Sequence, residues 1–118
     1  MVVLVCGSRF YYDYDKIYRC LKSLEGVSQV LAGGCRGADS LAAHAAHACG
    51  YPFREYPADW RKYGKAAGPT RNQRMLDEGK PDLVIAFHEN LEKSKGTKDM
   101  IRRAGRQGIP VRLVDKEV

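Results

Sequence analysis

The stretch QVLAGGCRGADSLAAHAA, Gln29 to Ala46, passes from a short, largely apolar run through three glycines into a segment with helical spacing. Gln29 to Ala32 has the length of a buried strand, and from Ala38 onward Leu41, Ala42, Ala45 and Cys49 fall on one stripe until Gly50 stops the pattern. Small alanines on that stripe let the helix lie close against a sheet. Between strand and helix, Gly33, Gly34 and Gly37 admit backbone conformations and close approaches that a side chain would forbid, and the helix start presents unpaired N–H groups to the same space. The G-K-[ST] ending of a phosphate loop is missing, and no G-x-G-x-x-G follows the first strand, so neither an ATPase nor a dinucleotide fingerprint is present.

The same alternation continues on both sides. VVLVC (Val2 to Cys6), FREY (Phe53 to Tyr56), LVIAF (Leu83 to Phe87) and VRLV (Val111 to Val114) read as strands, with FREY the weakest. Helical spacing covers Asp13 to Glu25, with Ile17, Leu21 and Leu24 on one face and Gly26 as the stop. It returns from Pro69 through Met75 and Leu76 to Gly79, and again from Thr97 to Gln107, where Met100, Ile101 and Ala104 point inward. Continuously apolar strands alternating with helices predict a parallel sheet covered on both faces and joined by right-handed crossovers. The expected fold is therefore α/β: a single Rossmann-like three-layer sandwich with a five-stranded parallel sheet, one domain over residues 1–118, with no internal repeat.

Composition bounds the function. No run approaches the roughly twenty apolar residues of a membrane span, and the N-terminus lacks a basic region before its apolar stretch. The four cysteines contain no C-x-x-C pair, so reduced thiols in a cytoplasm are expected, with no membrane association. Net charge is +6, and its excess lies in RKYGKAAGPTRNQR (Arg61 to Arg74) and EKSKGTKDMIRRAGR (Glu92 to Arg106). Such charge calls for an anionic partner without separating nucleic acid from a small phosphorylated ligand.

Open α/β sheets bind ligands beyond the carboxyl ends of their strands, where strand order reverses. After the first strand, Gly7 permits a tight turn and Arg9 can reach an anion. After the second, the glycine loop carries Arg36, and Asp39 in the first helical turn reads equally as a helix cap or a ligand contact. After the third, the lone Trp60 with Tyr63 offers a stacking surface beside Arg61, Lys65, Arg71 and Arg74. After the fourth, in HENLEKSKGTKDM, Gly96 and Thr97 open a helix and form a second phosphate cradle. Glu55, ending the third strand, stands where dinucleotide folds place an acid against a ribose. His44 and His47 share a helical face opposite the alanine stripe with no carboxylate at ligand spacing, which makes them solvated; neither a metal nor a cofactor is expected.

The ordered set GSR, GGCRGAD, ADWRKYGKAAGPTRNQRM and KGTKDM resembles the YspA-like branch of the SLOG superfamily, the Rossmann-like group that includes DprA and the LOG nucleotide-processing proteins. The similarity runs from about Val2 to Val111. The resemblance implies a sheet that binds nucleotides or nucleotide-derived signals, often as a sensor or in phage and bacterial conflict systems, and a homo-oligomer. Carried over by position, it implies that Gly7, Ser8, Arg9, Gly33, Gly34, Gly37, Asp39, Arg71, Asn72, Gly96 and Thr97 line a pocket. LOG enzymes release a base from a nucleoside monophosphate with an arginine and a glutamate in P-G-G-x-G-T-x-x-E. Here Gly96 and Thr97 are kept, the preceding double glycine is absent, and Asp99 stands one residue before the glutamate position.

Three functions follow in order of preference. The first is a nucleotide-binding domain in which Arg9 and Arg71 meet phosphate and Trp60 or Tyr63 stacks on a base. The second is a nucleotide N-glycosidic hydrolase in which Arg71 holds phosphate while Asp39 or Asp99 stabilises positive charge on ribose or positions water. The third is single-stranded nucleic acid binding, which predicts a steep dependence on salt.

Overall fold

Continuous burial along the inner strands, with side chains alternating between two covered faces, organises the structure, a computed structural model that describes residues 1–88 and 94–115. In β1 (Val2–Gly7), Val3 and Val5 turn to one face of the sheet while Leu4 and Cys6 turn to the other. All four are buried because helices cover both faces. The other strands are β2 (Gln29–Ala32), β3 (Phe53–Glu55), β4 (Leu83–His88) and β5 (Val111–Asp115). All pairs are parallel and the order is β3-β2-β1-β4-β5, with Leu4 opposite both Leu31 and Val84. The chain thus moves outward from β1 to β3 and then crosses back, so strand order reverses between β1 and β4.

One layer holds α1 (Tyr14–Ser23) and α2 (Ala38–Cys49), whose Ile17, Leu21, Ala38, Ala42, Ala45 and Ala46 pack on Val3, Val5, Val30, Ile85 and Phe87. The opposite layer holds α4 (Ala67–Gly79) and α5 (Lys95–Arg106), which bring Met75, Leu76, Met100 and Ala104 onto Leu4, Leu31, Val84 and Ala86. A short helix, α3 (Trp60–Tyr63), and a 3-10 turn over Gly64–Ala66 lead from β3 into α4. This is the three-layer α/β fold with a five-stranded parallel sheet that the alternation predicts.

Local chemistry sets the ends of the helices. Asp13 accepts the Lys16 N–H at 3.1 Å and starts α1; Gly50, left-handed at φ 79°, ends α2 by donating to the Ala46 and His47 carbonyls. The Ser94 Oγ accepts the Thr97 N–H at 3.1 Å, and α5 begins at Lys95, two residues before the expected Thr97. Helix α4 also begins two residues early, placing Pro69 third, still within the turn whose N–H groups need no helical acceptor. The third strand ends at Glu55, and Tyr56 turns into the core with its N–H on the Ala32 carbonyl at 2.9 Å. Four residues of α3, with no buried side chain, carry no periodic signal, which is why the sequence predicts no helix there, although Trp60, Arg61 and Tyr63 stand out by residue type.

Residues 89–93, part of the loop expected to follow the fourth strand, and residues 116–118 of the expected domain lie outside the described residues. No described helix is long and apolar enough to cross a membrane. Among the described residues no group of His, Cys, Asp and Glu could hold a metal ion, and the four cysteines are free.

Candidate functional site

A cavity of about 600 Å³ opens beyond the carboxyl ends of β1 and β4, where the strand order reverses. Its floor begins with Cys6 and Gly7 of β1 and with His88 of β4. The chain after β1 is pinned on both sides: the Ser8 N–H donates to the Phe87 carbonyl at 3.0 Å, and the Ser8 carbonyl accepts the Ala38 N–H of α2 at 2.9 Å. Gly37 makes that second contact feasible. It sits at φ 72°, and a Cβ there would strike the Ser8 carbonyl and the Arg9 backbone. The third glycine of GGCRGAD therefore joins two loops, and the first N–H of α2 is already bonded.

Asp39 does not cap its own helix, which has no side-chain cap. Its Oδ2 instead reaches back and accepts the Cys35 N–H at 3.1 Å, tying down the glycine loop. Burial pushes this carboxyl up to about 6, against the Cys35 and Gly33 backbone hydrogen bonds and the Arg71 charge, which favour ionisation. Burial, reinforced by the Asp39 charge and opposed by Arg71, also drives the Cys6 thiol far up, so Cys6 is a neutral wall of the cavity.

Arg71 projects from α4 into the space that Gly33 leaves open; a Cβ on Gly33 would overlap its Nη1 and come within 3.1 Å of Asp39 Oδ2. Nη1 donates to the Gly33 carbonyl at 2.6 Å and the Tyr56 carbonyl at 3.3 Å, while Nε donates to Asn72 Oδ1 at 3.0 Å. The Nη2 edge makes no hydrogen bond among the described residues. Asn72 Nδ2 donates to Asp99 Oδ2 at 3.0 Å and to the Gly96 carbonyl at 3.3 Å. Both oxygens of Asp99 are occupied, since Arg102 reaches Oδ1 and Arg103 reaches Oδ2, each at 2.9 Å. Burial raises the Asp99 carboxyl, but hydrogen bonds from Arg103 and Asn72 and the charges of Arg103 and Arg102 outweigh it and hold the group below its ordinary value. Asp99 thus accepts three hydrogen bonds, two of them from arginines, and is suited to holding neighbours.

Across the cavity, Ser94 takes the Thr97 N–H, so the N–H groups of Lys95 and Gly96 open α5 in place of the expected Gly96 and Thr97 pair. Two exposed aromatics border the opening. Trp60 is 59% exposed and its ring lies 3.6 Å from where a Cβ on Gly68 would stand; Phe10 is 72% exposed, with the Arg9 guanidinium 5.3 Å from its ring centre. Four cations, Arg9, Lys65, Arg71 and Lys95, reach this lining.

Of the residues singled out in the sequence, Gly7, Ser8, Arg9, Gly33, Asp39 and Trp60 meet at the cavity. Arg71, Asn72, Gly96, Thr97 and Asp99 join them. Gly34, Arg36 and Gly37 fall outside the lining: Gly34 abuts the Glu55 carboxyl, 2.8 Å from its would-be Cβ, and Arg36 is exposed. Glu55 is itself exposed and outside, away from any ribose subsite there. Arg61, Tyr63 and Arg74 are outside too, the last paired with Glu78 at 2.8 Å. Lys65, named in the sequence beside Trp60, also lines the cavity, whereas Phe10 and Lys95 are lining residues that the sequence reading did not select; their signal was proximity to a glycine-led turn.

Comparison with known proteins adds three findings. Residues 1–63 match the model of a family described as "YspA, cpYpsA-related SLOG family". The chain is 37% identical over 119 residues to the Gene 61 protein of Mycobacterium phage D29, covering 92% of each. Its fold superposes on DNA processing protein A (DprA) from Streptococcus pneumoniae with a TM-score of 0.79 at 20% identity, over 98% of this chain and 50% of that one. The chain thus spans about half the length of that DprA structure.

Proposed function

The chain belongs to the YspA, cpYpsA-related SLOG family, and on that premise we propose that it binds a nucleotide or nucleotide-derived small molecule in the cavity between β1 and β4. One observation carries the reading: Arg71, buttressed by two backbone carbonyls and Asn72, keeps its Nη2 edge uncommitted in a cavity that also holds exposed aromatic faces. Guanidinium donors suit phosphate, Phe10 and Trp60 suit a base, and Arg9, Lys65 and Lys95 supply further positive charge. Arg36 and Gly37 act from outside the lining, as charge and as scaffold.

Calorimetric titration with mono-, di- and cyclic nucleotides tests it. Heat from at least one member, reduced in Arg71→Met, is the expected result; no heat from any member overturns the reading. A single-stranded oligonucleotide belongs in the same panel, because the cations and aromatic rims would also suit a strand. Affinity for the oligonucleotide alone, falling steeply with salt, would favour nucleic acid as the partner.

Asp39 favours a second reading, the N-glycosidic hydrolase. A buried carboxyl held at about 6 next to Arg71 is suited to trade a proton or face a developing positive charge near neutral pH, whereas Asp99 is engaged by Asn72, Arg102 and Arg103, which hold it in its ionised form. Free base released from nucleoside monophosphates, and lost in Asp39→Asn, is the outcome this reading requires.

A further inference from the structure

Arg103 lies outside the cavity, yet it is one end of a hydrogen-bonded chain that terminates on Arg71. Its Nη1 donates to Gln73 Oε1 at 2.9 Å, fixing the guanidinium against α4, and its Nε donates to Asp99 Oδ2 at 2.9 Å. That same oxygen accepts Asn72 Nδ2 at 3.0 Å. With Nδ2 so placed, and also facing the Gly96 carbonyl, the carboxamide turns Oδ1 toward Arg71 Nε. The reverse orientation would set an oxygen against a carboxylate and an amide donor against a guanidinium donor. One rotation of Asn72 therefore decides whether Arg71 is held on its Nε side.

We infer that Arg103 is a positioning residue: by holding Asp99 it locks the Asn72 carboxamide and so aims the Arg71 guanidinium into the cavity. Its consequence for binding rests on the proposal that Arg71 meets the anionic group of a nucleotide. Arg102 supplies the natural control. It sits on the same helix, carries the same charge and contacts the same carboxylate, but at Oδ1, with 56% of its side chain exposed against 27% for Arg103. A role that is only helical stapling, or only charge, would not separate the two arginines.

The test uses Arg103→Met, Arg102→Met and the near-isosteric Asp99→Asn, which keeps the relay testable should the methionine variant fail to fold. In ligand-free protein, solvent exchange of the Arg71 Nε–H, followed by nitrogen-15 NMR, is expected to accelerate about tenfold in Arg103→Met and Asp99→Asn and to stay unchanged in Arg102→Met, the scale set by one hydrogen bond to a charged group. In calorimetry, Arg103→Met is expected to weaken adenosine monophosphate by about tenfold while leaving uncharged adenosine within about twofold. Unchanged Arg71 exchange, equal acceleration in Arg102→Met, or equal loss of both probes overturns the inference. Accelerated exchange in a protein that binds neither probe upholds the relay and counts against the nucleotide reading.

Discussion

Replacing Asp39 by asparagine removes a buried negative charge at nearly constant size. Oδ1 of an asparagine can still accept the Cys35 N–H, so the glycine loop keeps its tie. The carboxyl is raised from 3.8 to about 6, a difference that corresponds to roughly 3 kcal/mol against the ionised form in the folded chain. Protonation of Asp39 therefore adds stability as pH falls from about 6 toward about 4, and that contribution is lost as pH rises through about 6. At about pH 8 the wild-type chain holds a disfavoured carboxylate and Asp39→Asn does not, so the variant should be more stable by up to roughly 3 kcal/mol. Near pH 4 the two should converge. Urea unfolding of both proteins across that range measures the difference, and subtracting one curve from the other cancels the titration of every other group. A stability difference that stays constant with pH, or that grows toward acid, would refute the assignment.

Three further outcomes follow from the geometry. Trp60→Ala should weaken a base-bearing ligand by roughly 1–3 kcal/mol in calorimetry while leaving unfolding nearly unchanged, because the ring is 59% exposed. Gly37→Ala should destabilise the fold by roughly 3 kcal/mol in urea unfolding, since φ 72° and the Ser8 carbonyl both oppose a Cβ; a neutral result would mean that the two loops do not meet as described. Ser94→Ala should cost about 1 kcal/mol by removing the acceptor for the Thr97 N–H, and equal stability would show that α5 is capped by another group.

Which parts were legible depended on whether the interaction was local in sequence. VVLVC and LVIAF reveal buried central strands because both faces are covered, and the alanine stripe of α2 reveals its packing face, although Ala46 widens it by one residue. The alternation of strands and helices made the loops at the carboxyl ends, around Arg9, Asp39, Arg71 and Thr97, accessible to general rules, whereas the strand order that sets the switch point between β1 and β4 depends on pairings distant in sequence. Side-chain roles were less accessible. Asp39 looks like a cap because it sits in a first turn, but its partner is upstream at Cys35. Asp99 looks catalytic beside Gly96 and Thr97; its i+3 and i+4 spacing to Arg102 and Arg103 is a signal for salt bridges that went unread, while Asn72, 27 residues away, could be found only in three dimensions. Lys65 was one of four cations named near Trp60, and Lys95 one cation among many, until the turns that carry them converged on the cavity.

The cavity walls come from Cys6–Phe10, the loop after β2, the start of α4 and the start of α5, segments distant in the chain that meet only when β1 and β4 lie side by side. No fragment of the chain contains the site, so occupancy and global unfolding are thermodynamically linked. A molecule present at a hundred times its dissociation constant would raise the unfolding free energy by about 2.7 kcal/mol. The melting transition of the whole protein is thus a reporter for its own unidentified ligand, and a library can be screened by heating alone, without a label and without knowing whether the bound molecule is kept or cleaved.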